Sequence, residues 1–141
     1  MRLLAILTIC AATIAMPVFA NPFERATPVT DPLVNKECGE WHMAFQPGLL
    51  PAPSWNRIMA NLNDHFGDRA TLPPDQVKAI TAYLTTKAGR GDPSINRITE
   101  QSWWRREHRM ADAEWRKPTV RSKSNCAACH AGANAGRYEN D

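Results

Sequence analysis

Cys126-Ala127-Ala128-Cys129-His130 stands near the end of the 141-residue chain, and no other stretch restricts the fold as much. Two thiols three positions apart can each add to one vinyl group of a porphyrin, while the adjoining imidazole reaches the iron from the proximal side. That spacing suits covalent attachment of c-type haem. A chain of this length buries a limited core, so an inserted porphyrin would make up much of it. Other chemistries of paired cysteines find less support. A disulfide oxidoreductase needs a thioredoxin-like strand and helix beside its cysteines, whereas here they follow the loop-like run Lys117 to Asn125. A zinc site needs a fourth ligand and usually a second close pair, yet Cys38 stands alone.

The other end of the chain says where such chemistry would take place. Residues 1–20 carry one early cation, Arg2, then the apolar run Leu3 to Met16, and end in Val18-Phe19-Ala20 before Asn21. This reads as a secretory signal peptide, and hence an exported protein. A membrane-spanning helix takes about 20 apolar residues, and this run is shorter and broken by Pro17. The protein is therefore expected to be soluble once the signal is removed. Cys10 leaves with the signal, being too early for a lipoprotein cleavage point. Residues 21–141 then have room for one small domain. Setting Arg2 aside leaves 16 of the 17 basic residues against 14 acidic ones, too even a balance to argue for nucleic acid.

Along residues 21–141, hydrophobic spacing predicts a mainly α protein with a few short helices and long loops. Asn21 to Asn35 reads as an extended leader because of Pro22, Pro28 and Pro32. A short helical turn over Lys36 to Phe45 is expected to run into the proline-rich loop Gln46 to Pro53. Ser54 then caps a helix with Trp55, Ile58, Met59, Leu62, His65 and Phe66 on its apolar side, ended by Gly67. A second helix starts at Pro73-Pro74, packs through Val77, Ile80, Thr81 and Leu84, and stops at Gly89. A third, capped by Ser94 or Thr99, reaches towards Trp115 and sets His108 between Trp104 and Trp115 on one face, before Pro118 closes it.

Four histidines, His42, His65, His108 and His130, match the number needed by two six-coordinate haems with histidine on both faces. Cys38-Gly39-Glu40-Trp41-His42 has the form of a second attachment motif whose second cysteine has become Trp41. With Gln46-Pro47-Gly48-Leu49-Leu50-Pro51, Ser54-Trp55, Asp64-His65-Phe66-Gly67, Glu107-His108-Arg109 and Cys126 to His130, nearly the whole of residues 21–141 resembles the bacterial dihaem cytochrome c family. The resemblance implies a small haem-filled periplasmic electron carrier with two covalent haems c and bis-histidine ligation. It implies other cytochromes or membrane-bound redox proteins as partners, and no small-molecule substrate. Residue by residue, it makes Cys126 and Cys129 the thioether pair of one haem with His130 proximal. It makes His42 the proximal ligand of the other haem, and His65 and His108 the distal pair.

Trp41 departs from the family pattern. A single thioether through Cys38 with His42 on iron is preferred to a lost haem, since axial ligation does not depend on the missing sulfur. Two pairings of the imidazoles stay open. The local one joins His42 with His65 and His108 with His130; the crossed one sends His65 to the C-terminal haem. The local pairing is preferred because each pair brackets one segment. Met43, Met59 and Met110 are alternative sixth ligands, with core packing the more ordinary role. Between Arg97 and Lys123 eight basic residues face four acidic ones, either as a solvated helix face or to neutralise haem propionates and steer an acidic partner. The functional expectation is a single-electron carrier and not an enzyme. Its rival is a haem enzyme or gas-binding sensor with an open iron site.

Overall fold

The structure is a computed structural model that describes residues 24–139; the expected signal peptide lies outside the described residues. Among these residues there are five α-helices, α1 (Pro32–Gly39), α2 (Ala52–Ala60), α3 (Pro74–Thr86), α4 (Ser102–Glu107) and α5 (Asp112–Trp115). No strand is named, and the extended pairings are isolated bridges, Arg25 with Arg137 and His65 with Asp68. The fold class is as expected, helical with short elements and long connections.

Helix α1 starts inside the segment expected to be an extended leader. Asp31 caps it, its Oδ1 accepting from the amides of Leu33 (2.9 Å) and Val34 (3.1 Å), and Pro32 takes the first helical position, where an amide would have no partner. Helix α2 begins behind Pro51, with Pro53 in its first turn. Ser54 is therefore no cap. It is fully buried within α2 and donates to the Ile95 carbonyl at 2.7 Å. Trp55, Ile58 and Met59 of α2 meet Ile80 and Leu84 of α3, and Val34, Leu50 and Leu62 complete the core. Each such side chain withdrawn from water contributes roughly 1.5–3 kcal/mol.

Helix α2 ends well before Gly67. Asn61 leaves helical geometry (φ −128°, ψ 42°), its side-chain amide donates to the Asp64 carbonyl, and Asp64 Oδ1 accepts from the Gly67 amide. Short polar side chains offer the backbone these local bonds in place of helical ones. Phe66 consequently leaves the apolar face and is 43% exposed at φ 57°. Helix α3 likewise ends at Thr86. Gly89 beyond it lies against Gly48, whose carbonyl oxygen would stand 1.9 Å from an added Cβ, and its amide donates to Leu50.

The third expected helix is broken. A 3-10 turn over Ile98–Glu100 precedes α4, residues His108 to Ala111 are not helical, and α5 is a single turn. Neither Ser94 nor Thr99 caps it, because Ser94 is engaged with Asp92. Buried Gln101 occupies the position before α4 and ties the loop over residues 92–95 through both ends of its side-chain amide, at 2.9–3.1 Å. A second buried amide, Gln46, donates to the Ala133 carbonyl at 2.8 Å and accepts from the Tyr138 hydroxyl. In a chain with so much loop, buried glutamines satisfy backbone groups that regular structure would otherwise serve.

Candidate functional site

The chain folds around two neighbouring cavities. The first, of about 540 Å³, lies between α1, α2 and the loop after α2, with Leu50, Trp55, Ile58, Met59 and Leu62 among its walls. Cys38, Trp41, His42 and His65 all line it. The second, of about 210 Å³, is lined by Trp104, His108, Trp115, Cys126, Cys129, His130 and Tyr138. Ile98 and Cys126 belong to both linings, so they form a shared wall.

Each cavity holds one pair of imidazoles. The His42 and His65 ring centroids are 6.1 Å apart with planes 22° from parallel. Those of His108 and His130 are also 6.1 Å apart, with planes at 82°. Two imidazoles bound to one metal at about 2 Å on opposite sides place their centroids roughly 6 Å apart. Both pairs meet that requirement without rearrangement, and the first cavity has the volume and apolar lining of a cofactor site. The residues present therefore fit a bis-histidine haem at each place. The second site, smaller at about 210 Å³, would leave such a group partly open to solvent, so Cys126, Cys129, His108 and His130 in its wall would have to do more of the holding than enclosure.

Hydrogen bonding settles the tautomers of two rings. Nδ1 of His108 lies 2.9 Å from the Trp104 carbonyl, and Nδ1 of His42 lies 2.7 Å from the Met43 carbonyl. A carbonyl only accepts, so Nδ1 carries the proton and the Nε2 lone pair is left for a metal. Nδ1 of His130 is buried with no partner among the described residues; contacts hold this ring instead, including the edge-on Tyr138 ring at 5.6 Å. Burial pushes the His65 imidazole below its ordinary value, and the facing His42 adds to this. The same happens to His108, chiefly by burial. Neutral, ligand-ready imidazoles are what both environments favour.

His65 and His108 sit differently from the expectation that each lies on a helix face. His65 follows the 3-10 turn Leu62–Asp64 and pairs with Asp68 through both backbone groups. His108 closes α4. The aromatic surroundings of His108 are nevertheless those expected: its ring stacks on Trp104 at 4.2 Å and 6°, and Trp115 lies 6.1 Å away. Cys126 is half-buried and burial raises its thiol to about 11; Cys129 is exposed. Among the described residues none of the three cysteines, Cys38 included, forms a disulfide.

Tyr138 was not among the residues singled out by sequence, and Gln46 entered only as part of a family motif, with no role assigned. A glutamine before a proline and a tyrosine near the chain end carry no spacing signal for each other, and only the tertiary contact reveals their bond. Of the basic stretch, Arg97 lines the first cavity and its guanidinium lies 4.2 Å over the Phe66 ring, while Lys123 lines the second. Lys117 and Arg106 pair with Glu114 and Glu107 at the surface, where such pairs contribute little.

A family model for dihaem cytochrome c matches residues 34–138. The crystal structure of DHC purified from Rhodobacter sphaeroides is 42% identical, with a TM-score of 0.72, over 78% of this chain and 98% of that one. A diheme cytochrome c structure from the same organism is 40% identical over 79% and 99% of the two chains, with a TM-score of 0.72. The diheme cytochrome type c of Shewanella baltica OS155 is 37% identical over 77% and 86%, with a TM-score of 0.69. Comparison with curated proteins returned no match.

Proposed function

Because the chain belongs to the dihaem cytochrome c family, and so is a c-type cytochrome that binds haem covalently, we propose that it is an exported periplasmic carrier of single electrons with a bis-histidine haem at each of its two cavities. Bound haem supplies a one-electron iron couple. In this reading Cys126 and Cys129 hold the C-terminal group by thioethers, with His130 and His108 on its iron. His42 and His65 take the N-terminal iron. The observation that carries the reading is the pair of 6.1 Å imidazole separations, one beside each cavity.

The protein's own residues orient and tune. The Nδ1–H bonds of His42 and His108 to backbone carbonyls aim their Nε2 atoms and raise ligand basicity. Trp104 packs flat on His108 and keeps water from that ring. Arg97 and Lys123, at the cavity walls, are placed to neutralise propionates. An iron held by both imidazoles of a pair would leave no open site for oxygen or peroxide, which supports a carrier that transforms no substrate. Its partners are other cytochromes or membrane redox proteins. It works after loss of residues 1–20, with residues 21–141 as a single domain.

Carbon monoxide added to the reduced, matured protein tests this. An unchanged absorption spectrum is expected; a shifted band would report an open or labile iron position and favour a gas-binding sensor or enzyme.

A further inference from the structure

Cys38 and Cys126 open turns of the same build. The Cys126 carbonyl accepts from the amides of Cys129 (3.2 Å) and His130 (2.9 Å), and the Cys38 carbonyl accepts from those of Trp41 (3.2 Å) and His42 (3.3 Å). The backbone of a haem-attachment turn is thus present twice, although only the C-terminal copy carries a second cysteine. Burial repeats the match. The first cysteine of each turn is half-buried and lines a cavity, whereas the fourth position is exposed in both. At that position Trp41 stands at the rim with 62% of its surface exposed. An indole so exposed, though it lines the cavity, need not fill the space beside Cys38 that a porphyrin edge would take.

We infer that the N-terminal haem of this chain is attached by one thioether, through Cys38, and keeps its second vinyl group. This rests on the two-site reading above. In the attachment step Cys38 Sγ–H adds across a vinyl double bond: a C–S bond forms, the C=C π bond is lost, and the thiol hydrogen passes to the neighbouring carbon. Electrons are conserved within the adduct, so no oxidant or reductant takes part. Burial raises the Cys38 thiol above its ordinary value, as it does that of Cys126. His42 and His65 stand ready to hold the iron independently of the absent sulfur.

The test is a haem count on the full matured chain by native and by denaturing mass spectrometry, with the reduced pyridine haemochrome spectrum beside it. Two haems are expected in both masses. The α-band should lie at longer wavelength than in a protein with two thioethers on every haem, because an unreacted vinyl extends the conjugation. Cys38→Ser should lose one haem from the denatured mass. Trp41→Cys, which keeps the thiol and supplies its partner at the position equivalent to Cys129, should keep two haems and return the band to shorter wavelength.

Two haems in the native mass but one after denaturation would overturn the proposal and leave the bis-histidine reading standing. One haem in both would overturn the two-site reading as well. A Cys38→Ser protein that still holds two haems after denaturation, or a Trp41→Cys band that does not move, would also overturn the proposal.

Discussion

The rings of His108 and His130 stand 6.1 Å apart with their planes crossed at 82°, whereas those of His42 and His65, at the same separation, are only 22° from parallel. The relative orientation of two axial imidazole planes sets the splitting of the iron dπ pair that overlaps their π systems. Crossed imidazoles leave those orbitals nearly degenerate, and near-parallel ones separate them. The oxidised protein should therefore give two low-spin ferric EPR signals of equal integrated intensity, one with a markedly larger maximum g value. His108→Ala should abolish the large-g signal and make the reduced C-terminal site reactive to carbon monoxide. His65→Ala should do the same to the other signal.

Trp104 is 5% exposed and lies flat on His108. Trp104→Ala should destabilise the holoprotein by about 3–5 kcal/mol, the range for truncating a buried large aromatic. Denaturant unfolding at equilibrium would measure it. With its stacking partner gone, His108 should also yield more readily to carbon monoxide.

Gln46 has no exposed surface, and its side chain joins the Ala133 carbonyl to the Tyr138 hydroxyl. Gln46→Leu strands both groups and should cost about 1–3 kcal/mol for each one left buried without a partner. Tyr138→Phe removes one donor and should cost less. Because the two residues share a bond, the double variant should lose less than the sum of the single losses. A double-mutant cycle by urea unfolding would read the coupling; strict additivity would contradict the network.

If the basic excess between Arg97 and Lys123 steers an acidic redox partner, electron-transfer rates should fall as ionic strength rises. Stopped-flow measurement across a salt series would show it. A flat dependence would rule out steering and leave these residues as a solvated face.

The residue types of the site and their order were legible in the sequence because they obey local rules. A cysteine-x-x-cysteine-histidine run is defined by spacing alone, and Trp104, His108 and Trp115 were expected together. Helix ends were less legible. Ser54 has the composition of a cap but is withdrawn into the core by Ile95, and Asp31, which does cap, stands in a stretch whose prolines suggest extended chain. The continuous helix expected through His108 fails because that ring bonds back to Trp104 and the chain turns at residues 108–111. The long-range contacts that decide these points are absent from any local pattern.

By itself the sequence determined that this is a helical chain with one full haem-attachment motif, one altered motif and four histidines, since each of these depends on residues close together in the chain. It left two arrangements of the imidazoles open. Only the tertiary structure decided which rings stand together, His42 with His65 and His108 with His130, and that Trp41 is largely exposed at the edge of the first cavity. The physical reason is that these relations depend on how α2, α3 and the C-terminal loop pack through Leu50, Ile80, Gln46 and Tyr138, and packing between distant segments follows from the shape of the whole core.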